Sequence, residues 1–127
     1  MRAIVTLCEH VFAMTSHGHA YARFTRALKG GNAHLALAAA AELRHVSLAD
    51  ALSLLLLIRE DRPVLYDKAA VRWFAKYASD DRYLLLRDAR ELIDLLDGIG
   101  RHDRVAVVRL ERWLRARGYD DAADRVA

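Results

Sequence analysis

The run Ser47-Leu48-Ala49-Asp50-Ala51-Leu52-Ser53-Leu54-Leu55-Leu56-Leu57-Ile58 decides the fold class. Drawn as a helix it leaves almost no angle polar, and a helix that is apolar all round is buried. Crossing a bilayer takes about 20 apolar residues, whereas Arg59-Glu60-Asp61-Arg62 ends this run abruptly. Its burial must therefore come from neighbouring protein, and the stretch reads as a central core helix. Ser47 is a favourable N-cap, and Asp50 stands where a capping box places its acidic partner.

Outward from this helix the chain keeps the same character. Its 127 residues suffice for one domain with a real core. They are 54% hydrophobic, dominated by alanine and leucine, with Pro63 the single proline. Helix propensity is high nearly throughout, so an all-α fold is expected: a compact bundle or short α-solenoid of five or six helices. Before the core helix, Ala20, Phe24, Ala27 and Leu28 share one helical face, and Gly30-Gly31 stops that helix. Asn32 caps a second, striped by Leu35, Ala36, Ala39, Ala40 and Leu43. After the core helix, Pro63 opens a fourth, lined by Tyr66, Ala70, Trp73, Phe74 and Tyr77. Ser79 to Arg82 make a turn, and Leu85, Ala89, Leu92, Ile93 and Leu96 stripe a fifth helix ending at Gly98. A sixth runs from about Asp103 to Arg117, where Gly118 stops it. Residues 1–18 form an N-terminal extension without clear periodicity, 19–118 the helical domain, and 119–127 a polar tail or one short turn.

A weak echo at an offset of 50 pairs Ala20, Phe24, Arg26, Leu35 and Ala39 with Ala70, Phe74, Lys76, Leu85 and Ala89, the pattern of two three-helix units. The hairpin Ala20 to Leu43, with its Ala-x-x-x-Phe and Gly-Asn, resembles one tetratricopeptide-type unit without that consensus's Trp or Pro. Over Met14 to Tyr77, the segments Ala-Tyr-Ala-Arg-Phe, Val-Ser-Leu-Ala-Asp-Ala-Leu and Ala-Ala-Val-Arg-Trp resemble small all-helical proteins of actinobacteria. That resemblance implies a helical fold and a bacterial source, and no particular activity.

Composition and motifs narrow the function. Lys+Arg 20 against Asp+Glu 17 gives a net charge of +3 and a pI near 9.3, which permits an acidic partner without requiring one. The lone Cys8 rules out an internal disulfide and suits a reducing cytoplasm, and the apolar run Ala3 to Cys8 is cut short by Glu9 and His10 before it makes a signal core. His10, His17 and His19 lack the i, i+4 spacing of helical metal ligands, so no metal or other cofactor is expected. No Ser, Thr or Cys stands in the company of a base, and no catalytic residue is assigned. Asp88, Glu91, Asp94 and Asp97 are interleaved with Arg87 and Arg90, as on a solvated face. Gly98-Ile99-Gly100 lacks the third glycine and preceding strand of a phosphate loop.

The strongest signal is basic. Arg101, Arg104, Arg112 and Arg115 fall within about an 80° arc of the sixth helix, opposite a side formed by Ala106, Leu110, Trp113 and Leu114. Lys68, Arg72 and Lys76 make a second i, i+4 ridge on the fourth. Both ridges are candidate contacts for an anionic partner. The expected function is that of a non-enzymatic, cytoplasmic interaction or adaptor protein that binds a protein partner or self-associates through aromatic or leucine surface, with no membrane role. The alternative is a nucleic-acid-associated protein that holds phosphates on the two ridges.

Overall fold

A computed structural model gives the fold, and the structure describes residues 18–127. The extension expected over residues 1–18 lies, Gly18 apart, outside the described residues, as do Cys8, His10 and His17. The described residues form an all-α fold, with seven α-helices rather than five or six, one 3-10 turn and no strand among them. They divide into two compact units between Val46 and Ser47. The break thus falls before the leucine-rich helix, not after it as two three-helix units would require.

The first unit holds α1 (18–29) and α2 (Ala33–Glu42). Gly31 takes the left-handed conformation, φ 72°. Its N–H bonds the Leu28 carbonyl at 3.2 Å and that of Asn32 bonds Ala27 at 3.0 Å, which closes α1 in a Schellman motif. The Asn32 side chain then accepts the Leu35 N–H at 3.0 Å as the N-cap of α2. Ala20, Phe24 and Ala27 of α1 and Ala33, Ala36 and Ala39 of α2 are buried. Leu35, expected in the α2 stripe, is 56% exposed: the buried face is the alanine one, and these small side chains define it.

The second unit is a ring of five helices, α3 (Leu48–Asp61), α4 (Tyr66–Asp80), α5 (Leu86–Gly100), α6 (Arg104–Ala116) and α7 (Asp120–Val126). Each packs on the next and α7 closes back on α3. Ser47 caps α3, accepting the Asp50 N–H at 3.0 Å. Leu52, Leu55 and Ile58 are buried, but Leu54, Leu56 and Leu57 are only half-buried. The apolar helix is therefore one wall of the ring, not its enclosed centre. That centre is the aromatic face of α4, which follows the 3-10 turn Pro63–Leu65. Tyr77, fully buried, has ring centroids 5.6 Å from Trp73, 5.3 Å from Trp113 and 4.9 Å from Tyr119.

Residues 119–127, expected as a polar tail or one short turn, form α7, which buries Ala122, Ala123 and Val126; its Arg125 reaches the buried Asp50 of α3 at 2.9 Å and Ser53 at 2.9 Å. A seven-residue helix with four charges shows too little apolar periodicity to be recognised alone. α5 does not end at Gly98. It runs on to Gly100, because Gly98 and Gly100 serve packing: a Cβ would lie 2.8 Å from the Ala106 Cβ at the first and 2.5 Å from Tyr66 Cε1 at the second. The stop is His102, at φ 60°, with Asp103 bonding the Gly98 carbonyl at 3.0 Å.

Candidate functional site

The phase of α5 creates the site. Leu92, Leu95, Leu96 and Ile99 are buried, but the helix carries more apolar surface than its neighbours cover: Ile93 is 49% exposed and Leu86 70%. On α4 the aromatic face buries Tyr66, Ala70, Trp73 and Tyr77, while Phe74 stays half-buried beside it and Val71 is 67% exposed. Where the two helices meet, Tyr66, Ala70, Val71, Phe74, Ile93 and Leu96 line a groove of about 450 Å³. Asp67 and Asp97 stand among its lining residues. At its floor the buried Tyr66 donates its hydroxyl to the Leu96 carbonyl at 2.7 Å, tying α4 to α5, and burial pushes that phenol up to about 12. Such a groove offers apolar contact area and negative charge, and no nucleophile or acid–base pair.

A second cleft, of about 500 Å³, lies between α1 and α2. Its lining is more polar, with Arg23, Arg26, Asn32 and Glu42, and Arg23 is ion-paired with Glu42 across it.

The arginine ridge of α6 is rearranged relative to its expected form. Arg101 lies in the turn before α6, paired with Asp97 at 3.2 Å. Arg115 is engaged by Glu111 at 3.2 Å and by Asp124 at 3.0 Å, and these carboxylates raise its pKa. Of the four, only Arg104 and Arg112 are exposed with no carboxylate within ion-pair distance among the described residues. Arg109, not singled out from the sequence, is exposed and unpaired in the same way, and Val105 and Val108 between them are 56% and 48% exposed. The outer face of α6 is thus two valines among three arginines. On α4, Lys68 and Arg72 are exposed, Lys76 is half-buried, and all three fall on the flank away from the groove.

The most strongly perturbed titrating groups lie elsewhere in the second unit. The buried Asp81 accepts the Tyr77 hydroxyl at 2.6 Å, Arg117 Nε at 2.7 Å and the Tyr83 N–H at 3.0 Å. Arg117 lies over Trp113 at 5.0 Å and approaches Asp88 at 3.5 Å. The Arg117 bond holds the Asp81 carboxyl below its usual range, burial raises the Tyr77 phenol, and Asp81 raises Arg117. All three shifts fix the charge states found at neutral pH, the opposite of what a general acid or base needs. Every member is satisfied, so the cluster acts as a structural clamp joining the end of α4, the start of α5 and the α6–α7 turn. Among the described residues no three metal-ligating side chains gather, and no helix is long and apolar enough to cross a membrane.

The groove was hidden in the sequence because Phe74 and Ile93 fit the core stripes of their helices, and Val71 fits none. The readable sign was an excess: Leu86 and Ile93 together with Leu92, Leu95, Leu96 and Ile99 span a wider arc than one helix neighbour buries. Compared with family profiles, curated proteins and solved structures, the chain matches none of them.

Proposed function

We propose that this chain is a non-enzymatic, cytoplasmic interaction protein, an adaptor that receives an amphipathic helix in the α4–α5 groove. The observation that carries the reading is the groove's apolar lining left in solvent, Val71 at 67% and Ile93 at 49% exposure. Covering apolar surface is favourable by ~25 cal/mol per Å². A groove between two helices suits a third, anchored by apolar side chains at i, i+3 or i+4 and i+7. Asp67 and Asp97 at the lining favour an occupant with Lys or Arg beside its apolar stripe.

Panning a display library of helical peptides against the full chain tests the reading. The expected consensus is an apolar stripe flanked by basic residues, with binding about tenfold weaker or worse, ~1.4 kcal/mol, in Val71→Asp and in Ile93→Asp. Arg72→Gln, on the far flank of α4, should leave it unchanged. No helical consensus, or one indifferent to the groove substitutions, overturns the proposal. Binding of duplex DNA that weakens with salt by a slope near −0.9 per phosphate, and is lost on replacing Arg104 and Arg112, would establish the phosphate-binding alternative instead.

A further inference from the structure

We infer that the groove's occupant is the outer face of α6 from a second copy of this chain, so that the protein self-assembles head to tail. The inference rests on the groove reading above and supplies its partner. Val105 and Val108 lie three residues apart on one exposed face of α6, the spacing at which helical side chains present a joint ridge. Around them Arg104, Arg109 and Arg112 have no carboxylate in reach among the described residues. The groove offers the complement, with Val71, Phe74 and Ile93 exposed or half-exposed and Asp67 at its lining without an ion-pair partner among the described residues. Asp97 joins Asp67 there; among the described residues its one ion-pair partner is Arg101, in an exposed contact of the kind that contributes little. Asp94, next to Ile93 on α5, is exposed and likewise unpaired.

Apolar ridge meets apolar groove, and unpaired arginines meet unpaired aspartates. Among the described residues the two surfaces do not satisfy each other, since none of the three arginines has a carboxylate within ion-pair distance. A second copy supplies the complement. Where the two contacts are not reciprocated within one pair, such a contact between different patches is heterologous and propagates into a ring or an open chain of copies. The ridge is short, so each contact is weak and the electrostatic share makes it salt-sensitive.

The test uses the full chain in sedimentation equilibrium. The wild type should gain mass between ~10 µM and ~1 mM, the range for an interface below about 1,200 Å². Ile93→Glu blocks the groove and the double variant Val105→Glu, Val108→Glu blocks the ridge; all three positions are exposed, and unchanged circular dichroism and melting temperature confirm that the variants fold. Each variant alone should stay monomeric. Their equimolar mixture should form one 1:1 heterodimer and nothing larger, because each molecule retains the surface the other lacks. A two-fold contact of either surface with itself gives no such rescue, and its appearance overturns the inference. A wild type that stays monomeric at ~1 mM while the groove still takes library-selected helices overturns self-assembly and leaves the groove reading standing. Loss of both results overturns both.

Discussion

Replacing Asp81 by Asn tests the clamp that gives the second unit its centre. The substitution keeps size and shape but removes the charge. Tyr77 and Arg117 share Oδ2 while the Tyr83 N–H takes Oδ1, so the asparagine amide NH2 must face a donor in either orientation, Arg117 Nε or the Tyr83 N–H, and the guanidinium loses its counter-charge in both. Removing one partner of a buried ion pair costs ~3–5 kcal/mol. Arg117 keeps 21% of its side chain in solvent, so part of its charge is rehydrated and about 2–3 kcal/mol is the expected loss at pH 7. For a cooperative unit of about 60–100 residues that lowers the melting temperature by roughly 10–20 °C. The pH dependence carries the sharper content. Because the folded pKa of Asp81 lies below its unfolded value, the clamp's contribution is complete above the unfolded pKa of about 3.9 and is lost as pH falls through the folded pKa. Urea titrations of wild type and Asp81→Asn at several pH values should therefore show a gap that is full from pH 7 to about 5 and closes in stronger acid. Asp124→Asn, at an exposed partner of Arg115, should show no comparable gap. A gap for Asp81→Asn that is absent at pH 7, or that persists unchanged below pH ~2.5, would refute the reasoning.

Three further expectations follow from packing and backbone. Leu55→Ala, at a side chain only 2% exposed, should cost about 2–5 kcal/mol by denaturant titration, and an unaltered midpoint would show that the site is not core. Gly100→Ala should destabilise by about 1–2 kcal/mol although alanine is the better helix former, because its Cβ meets the hydrogen-bonded Tyr66 ring; a rise in melting temperature would mean that the ring yields. His102→Gly should stabilise by about 0.5–1 kcal/mol, since His102 holds φ 60° at the end of α5, its backbone N–H bond to Ile99 survives the change, and its side chain meets Glu60 in an exposed contact at 3.7 Å. A lower midpoint in that variant would contradict the strain argument.

What the sequence disclosed, and what it withheld, divide along the distance over which the responsible forces act. Helix boundaries are set by chemistry within a few residues, and they were legible: Ser47 and Asn32 as N-caps and Gly31 and Gly118 as stops with positive φ, while Pro63, expected to open the fourth helix, opens the 3-10 turn that leads into α4. The aromatic face of α4 was legible too, because four of its five side chains repeat at helical spacing and are buried. The misplaced stop at Gly98 marks the limit of local reasoning. A glycine beside a neighbouring helix and a glycine at a helix end look alike until the partner, Ala106 or Tyr66, is known. The candidate site failed for the same reason at longer range. Four arginines on one arc looked equivalent, yet Asp97, Glu111 and Asp124 neutralise two of them, and Asp124 lies on a helix with too few apolar residues to foresee. Periodicity names a helix's apolar face but not how much of it the fold covers. Ile93 and Val71 became a groove because α4 and α5 converge at Tyr66 and Leu96 and leave their flanks uncovered. Surplus apolar residues on a helix whose core face is already complete are thus the sequence's own sign of a binding surface, and α6, with Val105 and Val108 outside its buried Ala106, Leu110 and Leu114, carries the same surplus.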